Sequence, residues 1–469
     1  MDGWSDRDVL GHRTIASARN ALAEGRVTAE ALAEAAIQAC AEGEGPRAAL
    51  TVYRETALET ARHTDRMRAI GADLPPLAGV PVTIKDLFAV KGEPTRAGSS
   101  LTADAAPAEA DAPVIAYLKR AGAVIVAKTN MSEFAFSGVG INPHYDTPRN
   151  PYRRDEERIP GGSSSGAAIS VTDGMAIAAV GTDTAGSVRV PATLCGLAGF
   201  KPSSGRHLMG GVVPLSPTLD TIGPLARSIA CCRRMDAALA GARQGAGLAR
   251  PIAGLRIGVP QTVVLDDLEP VVADAFQRAL SRLSKAGAVI IDLPMREFGL
   301  AAEIAGLGNI SPPEAWAYHR KTMTQRRDAY DPRVVKRIEG GRDVGAADYL
   351  DMLALRRRMR ALTDVSTRLF DVLVHPTLPI TAPRIAELET DEAFFATNGL
   401  LLRNTLIGNL LDRPIATLPI HAPDEPGIGL SILGETGGDG TLLDIAEGAE
   451  TALAAPERAR TPPHRGLLH

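Results

Sequence analysis

An α/β fold, with strands and helices alternating along the chain, is what these 469 residues predict. Three observations carry it. Leu255–Val259, Leu268–Lys285 and Ala288–Asp292 read in order as an apolar strand, an amphipathic helix and a second apolar strand, a unit that continues a sheet. Gly161–Pro202 alternates Ser-bearing glycine turns with a small-residue helix, Ser164–Thr172, and an apolar strand, Ala176–Val180. The composition, 45% hydrophobic and 23% charged, is that of a globular chain with a large core.

The same composition narrows the function. A net charge of −4 gives no reason to expect nucleic acid or acidic lipid as a partner. The four cysteines form no C-x-x-C pair and no disulfide framework, which points to a reducing compartment and away from structural zinc. The acidic start, Met1 to Asp8, does not read as a signal peptide, and no run of 18 apolar residues could span a membrane. A cytoplasmic protein is expected.

Taken in order, residues 13–40 read as two amphipathic helices around Gly25, with Thr28 as the cap of the second. Ala48–Tyr53 reads as a strand and Glu55–Ile70 as a helix. Leu77–Leu87 is a buried strand running onto a charge, Lys85, a residue rarely met in so apolar a setting unless paired or functional. Ala112–Ala121 is a helix closed by Gly122, and Val124–Ala127 a strand. A helix runs from Arg227 to Leu239, with Asp220 and Arg227 expected as a charge pair. Gly241–Pro251 reads as a loop, and residues 300–370 as helical and charge-rich, the Arg356–Arg360 cluster being a solvated face. Asp371–Pro379 is a strand, Asn398–Asp412 a helix, Pro414–Pro419 and Gly427–Leu433 strands, and Asp439–Leu453 a closing helix before a polar tail from Ala455.

The chemistry concentrates in Gly161–Pro202. A flexible linker would be polar throughout, and this stretch is not. The chain has no Gly-Lys pair, which removes the Walker phosphate loop. Gly162-Ser-Ser-Ser-Gly166 fits the nucleophile elbow G-x-S-x-G, with Ser164 central, but a polar loop, Pro151–Pro160, stands where that motif needs a strand. Ser187 does follow a strand, in the small-residue turn Asp183-Thr-Ala-Gly-Ser187. A hydroxyl so placed can attack a carbonyl whose oxyanion the loop amides hold.

Three segments together resemble the amidase signature family: Gly161-Gly-Ser-Ser-Ser-Gly166, then Gly181-Thr-Asp-Thr-Ala-Gly-Ser-Val-Arg-Val-Pro-Ala192, then Gly199-Phe-Lys-Pro202. The family's lysine after an apolar strand matches Lys85, and Lys128-Thr-Asn-Met-Ser-Glu-Phe134 and Pro214–Ser228 extend the likeness over most of the chain. The resemblance implies a single domain over residues 1–469, with its core at about 75–235, a helical excursion at about 300–370, and a central mixed sheet covered by helices on both faces.

It also implies a catalytic set. Ser187 is the nucleophile. Ser163, 24 positions earlier, follows a cis peptide bond and relays protons to Lys85. The amides of Thr184, Ala185, Gly186 and Ser187 form the oxyanion hole, and Phe134, Phe136, Ser137, His375 and Thr377 line the substrate pocket. Asp183 and Arg189 form a structural pair. No metal or organic cofactor is required. The expected substrate is a small-molecule amide, cleaved to release ammonia or an amine, and a homodimer is left open. Two alternatives accompany this reading: the amidase component of a tRNA-dependent amidotransferase complex, and a hydrolase of a urea-derived carbamoyl compound. The loop Ser203–Gly211 lacks the G-R-V-S-R-Y-G continuation common in such amidotransferase components.

Overall fold

The computed structural model describes residues 14–242 and 247–454. One sheet runs through the chain. Its strands are β1 (Ala49–Val52), β2 (Pro81–Lys85), β3 (Val124–Thr129), β4 (Ala178–Asp183), β5 (Ala198–Lys201), β6 (Thr221–Ala226), β7 (Arg256–Pro260), β8 (Val289–Leu293), β9 (Val372–Pro376), β10 (Ile415–Pro419) and β11 (Gly429–Leu433). They lie in the order β1-β3-β2-β4-β6-β5-β10-β11-β9-β7-β8. β2 is parallel to β3 and β4, and β7 to β8 and β9; the other pairs are antiparallel, so the sheet is mixed. The unit expected at residues 255–292 is present, with helix Pro270–Lys285 between parallel strands β7 and β8.

Every residue of β2, β4 and β6 is buried. Strands covered on both faces carry near-continuous apolar runs, which is why Val80–Ile84 and Ala176–Val180 are legible as strands. The helix Ser165–Thr172 is buried from Ser165 through Val171, so it belongs to the interior rather than to the surface layer. Its small residues are required by that position: a Cβ on Gly166 would stand 2.5 Å from the Ala48 carbonyl oxygen and 2.6 Å from the Asn130 nitrogen. Thr83 Oγ1 and Ser170 Oγ, 2.7 Å apart, tie this helix to β2. At the N-terminus, helices Ile15–Ala23 and Ala29–Ala41 flank Gly25, and Thr28 caps the second by accepting from the Ala31 N–H.

Several elements differ from expectation. β4 begins at Ala178 and extends to Asp183, so the strand carries Thr182 and Asp183 to its very end. Thr221–Ala226, whose Gly223-Pro224 reads as a turn, is the strand β6 beside β4. Proline is tolerated there because β5 pairs with β6 only at Ala226 and Leu225, so that ladder has ended before Pro224. A short helix, Arg189–Leu194, follows the Ser187 turn. The helix expected from Asn398 starts at Asp391, capped by Thr390 accepting from the Ala393 N–H. Arg356 is not solvated: it donates to the Leu410 and Asn409 carbonyls at the end of that helix.

Asp220 and Arg227 are not a pair. Asp220 accepts from Thr184 Oγ1 and from the amides of Leu215 and Ser216, while Arg227 donates to the Val171 and Thr172 carbonyls and closes the helix Ser165–Thr172. The charge-rich excursion consists of helices Leu300–Gly306, Ser311–Arg326, Pro332–Glu339 and Ala346–Thr367. No helix among the described residues is long and apolar enough to cross a membrane, and the four cysteines are free and buried. The readings of the first eight residues and of the tail from Ala455 lie outside the described residues, as does part of the loop Gly241–Pro251.

Candidate active site

β3, β2 and β4 run parallel and end at one edge of the sheet. The C-terminal ends of parallel strands are where open α/β sheets place their ligands. β2 delivers Lys85 to that edge, and β4 delivers Thr182 and Asp183 beside it. Lys85 Nζ lies 2.7 Å from Ser163 Oγ and 2.9 Å from Thr182 Oγ1. Thr182 is absent from the residues that the sequence singles out; its position immediately before Asp183 at a strand end is the signal that could have found it.

Lys85 and Ser163 are wholly buried, and Ser187 retains 4% exposure, so a substrate reaches Ser187 first. Burial is the largest influence on Lys85 and pulls its amine down to about 7, although Asp220 and Asp183 act to raise it. At neutral pH the amine is therefore neutral in a large fraction of molecules and holds a free lone pair.

The Gly162–Ser163 peptide is cis, as the resemblance implied. The turn is held by its neighbours: Gly162 N–H donates to the Gly138 carbonyl at 2.8 Å, and Ser132 N–H to the Ser163 carbonyl at 3.0 Å. Ser164 N–H donates to the Ser187 carbonyl at 3.2 Å, joining the two serine turns. No hydrogen bond connects the Ser163 and Ser187 hydroxyls among the described residues; catalytic contacts are often long in a free enzyme and tighten with substrate bound.

The turn that carries Ser187 is built on a buried ion pair. Arg189 Nη2 and Nε donate to the two Asp183 carboxylate oxygens at 2.8 and 3.0 Å, and both side chains are fully buried. Burial alone would raise the Asp183 carboxyl; Arg189 beside it, with Asn409 donating, holds it at about 2 instead. Asp183 also accepts from the Gly186 and Val188 amides, which folds the turn back on the end of β4. Arg189 continues to the Thr405 carbonyl and Asn409 Oδ1, so helix Asp391–Leu411 braces the turn from more than 200 residues away. Removing one member of such a pair leaves an uncompensated buried charge, and Arg189→Met is expected to cost about 3–5 kcal/mol of stability. Chemical denaturation of the variant and wild type checks this; a loss below about 1 kcal/mol would mean the pair does not hold the turn.

Gly186 has φ +134°, and a Cβ there would meet Thr405 Oγ1 at 2.3 Å. Gly186→Ala must therefore move the turn away from the helix, and a loss of activity of about 10-fold or more is expected, read as kcat on any accepted amide. Ala185, where the family commonly has glycine, needs no left-handed backbone and so carries no such strain.

The expected pocket residues divide. Phe134, Phe136 and Ser137 lie on the loop 132–138, both ends of which touch the Ser163 turn. Phe134 and Ala135 sit in the left-handed region at φ +49° and +61°, an arrangement that two successive non-glycine residues adopt only when their surroundings enforce it. His319 and Tyr330 pack against Phe134 as tilted rings, with centroids 4.5 and 5.3 Å away. His375 and Thr377 make no hydrogen bond to Lys85, Ser163 or Ser187. They belong to β9 and the residue just after it, with four strands lying between β9 and β4, and their partners are the Pro376 carbonyl and Ser431 Oγ. Burial pushes His375 down to about 4, so it is neutral. A surface cleft of about 980 Å³ between helices Pro270–Lys285 and Asp439–Ala454 contains none of Lys85, Ser163 or Ser187.

Comparison with known proteins identifies the family. The family model described as Amidase matches residues 31–443. The chain is 37% identical over 454 residues to the 2-amino-5-chloromuconic acid deaminase of Comamonas testosteroni, covering 94% of this chain and 96% of that one. It is 35% identical over 434 residues to a component of the glutamyl-tRNA(Gln) amidotransferase of Moorella thermoacetica, covering 85% and 88%. A solved amidase structure superposes with a TM-score of 0.84 at 32% identity, covering 94% of this chain and 99% of the other. The chain that carries Lys85, Ser163 and Ser187 is thus a member of the amidase family.

Proposed function

We propose that Lys85, Ser163 and Ser187 carry the reaction of this hydrolase, an amidase acting on the C–N bond of a small-molecule amide. The observation that carries the assignment is the buried lysine amine, held at about 7 and 2.7 Å from the Ser163 hydroxyl. Substrate closes the gap between the serines. Ser187 Oγ then attacks the amide carbon as its proton passes to Ser163, whose own proton moves to the Lys85 lone pair. Thr182 accepts from Lys85 throughout and keeps the amine aimed at Ser163. The oxyanion is taken by the amides of Thr184, Ala185 and Ser187; the Gly186 amide, expected to join them, is already held by Asp183. The C–N bond breaks as Lys85 returns its proton through Ser163 to the leaving nitrogen. Water opens the acyl-enzyme along the same path and leaves a carboxylic acid.

The test is a fluorophosphonate probe read by peptide mass spectrometry alongside a screen of amides for ammonia release. Labelling of Ser187 together with ammonia release supports the assignment; labelling of Ser163 or Ser164 instead overturns it. A second reading, a component of an amidotransferase complex, rests on the likeness to the glutamyl-tRNA(Gln) amidotransferase proteins. Ammonia release by the protein purified alone favours the stand-alone hydrolase, and recovery of stoichiometric partner proteins favours the other. The four free buried cysteines fit the reducing cytoplasm as its location.

A further inference from the structure

Among the described residues around the loop 132–138, Arg337 is the cation whose partner the fold does not explain. It lies on helix Pro332–Glu339 with its guanidinium over the Phe136 ring, 4.5 Å from the centroid. Its Nε is buried and has no hydrogen-bond acceptor, and the described residues place no carboxylate against it. Burial lowers its pKa to about 10, which leaves it charged at neutral pH. Its basic neighbours are all provided for. Arg333 donates to the Leu388 and Glu389 carbonyls, Lys336 faces Asp391, and Arg327 is paired with Glu339.

The nearby acids are engaged as well. Glu133 Oε1 accepts from Ser99 and meets His144, its Oε2 accepts the Asp331 amide, and Asp331 accepts from the Arg333 amide. Arg337 is half-buried, but its Nε is enclosed without an acceptor, and a buried polar group left unpaired in a native structure calls for a ligand or a function. The location supplies one. Phe136 belongs to the loop whose ends are hydrogen-bonded to the Gly162–Ser163 turn through Gly138 and Ser132. Arg337 therefore rests on a side chain of the loop whose backbone is bonded to the Gly162–Ser163 turn.

We propose that Arg337 anchors a carboxylate carried by the substrate, so that this site takes anionic amides, the half-amides of dicarboxylic acids, in preference to neutral ones. The proposal rests on the amidase reading of the site. An Arg fork matches a carboxylate in two parallel hydrogen bonds, and it completes the charge balance only when that substrate is bound. The Phe136 ring holds the fork in plane beforehand.

Succinamate and succinamide are nearly isosteric and differ by one charge, as do glutaramate and glutaramide, which makes them the probes. With the full-length protein, kcat/KM for ammonia release is expected to favour at least one half-amide over its diamide by about 30-fold or more, chiefly through KM. Arg337→Gln is expected to collapse that ratio towards one, and Arg337→Lys to restore part of it. Equal or better turnover of the diamides overturns the proposal, as does an Arg337→Gln variant that lowers both rates in the same proportion, the mark of a packing role on Phe136.

A second readout needs neither turnover nor a folded variant. Succinate and glutarate are expected to slow fluorophosphonate labelling of wild-type Ser187 at least 10-fold more effectively than succinamide and glutaramide. Equal protection overturns the anion site while leaving the amidase reading intact. Failure to label Ser187 at all removes the amidase assignment, and the anion site with it.

Discussion

Ser187→Ala is expected to lose at least 99% of kcat and all fluorophosphonate labelling while keeping the melting behaviour of the wild type. Losing a nucleophile that works with its base as a unit typically costs several orders of magnitude. The fold should be indifferent to the change. The Ser187 hydroxyl makes no hydrogen bond among the described residues, and the contacts that hold the turn belong to its carbonyl and to Asp183. Ser163→Ala is the informative companion. It removes the group 2.7 Å from Lys85 while leaving the nucleophile, and should reduce kcat strongly with probe labelling slowed rather than abolished. Residual Ser187→Ala turnover above about 1% would mean that Ser187 is not the attacking group.

The second large effect concerns Lys85. Its folded pKa is depressed to about 7, so the neutral base is the form that grows as pH rises, and activity must fall as pH drops through about 7. Lys85→Ala should remove most activity and that limb with it. Lys85→Arg discriminates further: it preserves a donor and a positive charge but has no lone pair at any accessible pH, so it should be as inactive as the alanine variant. Rescue by arginine would show that Lys85 acts by charge alone; an unchanged limb in Lys85→Ala would take the titration away from Lys85 and leave it to Asp220 or Asp86, both raised by burial to about 6.

The glycine- and serine-rich stretch made Ser187 readable in the sequence, while Ser163 and Lys85 were named through the resemblance to the amidase signature family. Small residues recur there because backbones approach closely, as at Gly166 and Gly186, and that requirement is written locally. The α/β class was readable for a similar reason, since strands buried on both faces leave continuous apolar runs. Proline and glycine misled the reading at β6, where local turn preference yields to a sheet whose neighbouring ladder stops short. His375 and Thr377 were named as pocket residues from the strand and loop at 371–379; which elements lie beside them is set by strand order, with β9 four strands from β4, and no local sequence signal carries that.

What the sequence supplied by itself, with the family resemblance, is the candidates for the residues that attack, relay and accept a proton. What only the tertiary structure decided is their surroundings. The Lys85 amine is brought to about 7 by burial that no single segment supplies. The Ser187 turn is braced by Thr405 and Asn409, and Arg337 is set over Phe136, by helices far along the chain. Desolvation and long-range hydrogen bonds are properties of packing, and they exist only once distant segments share one site.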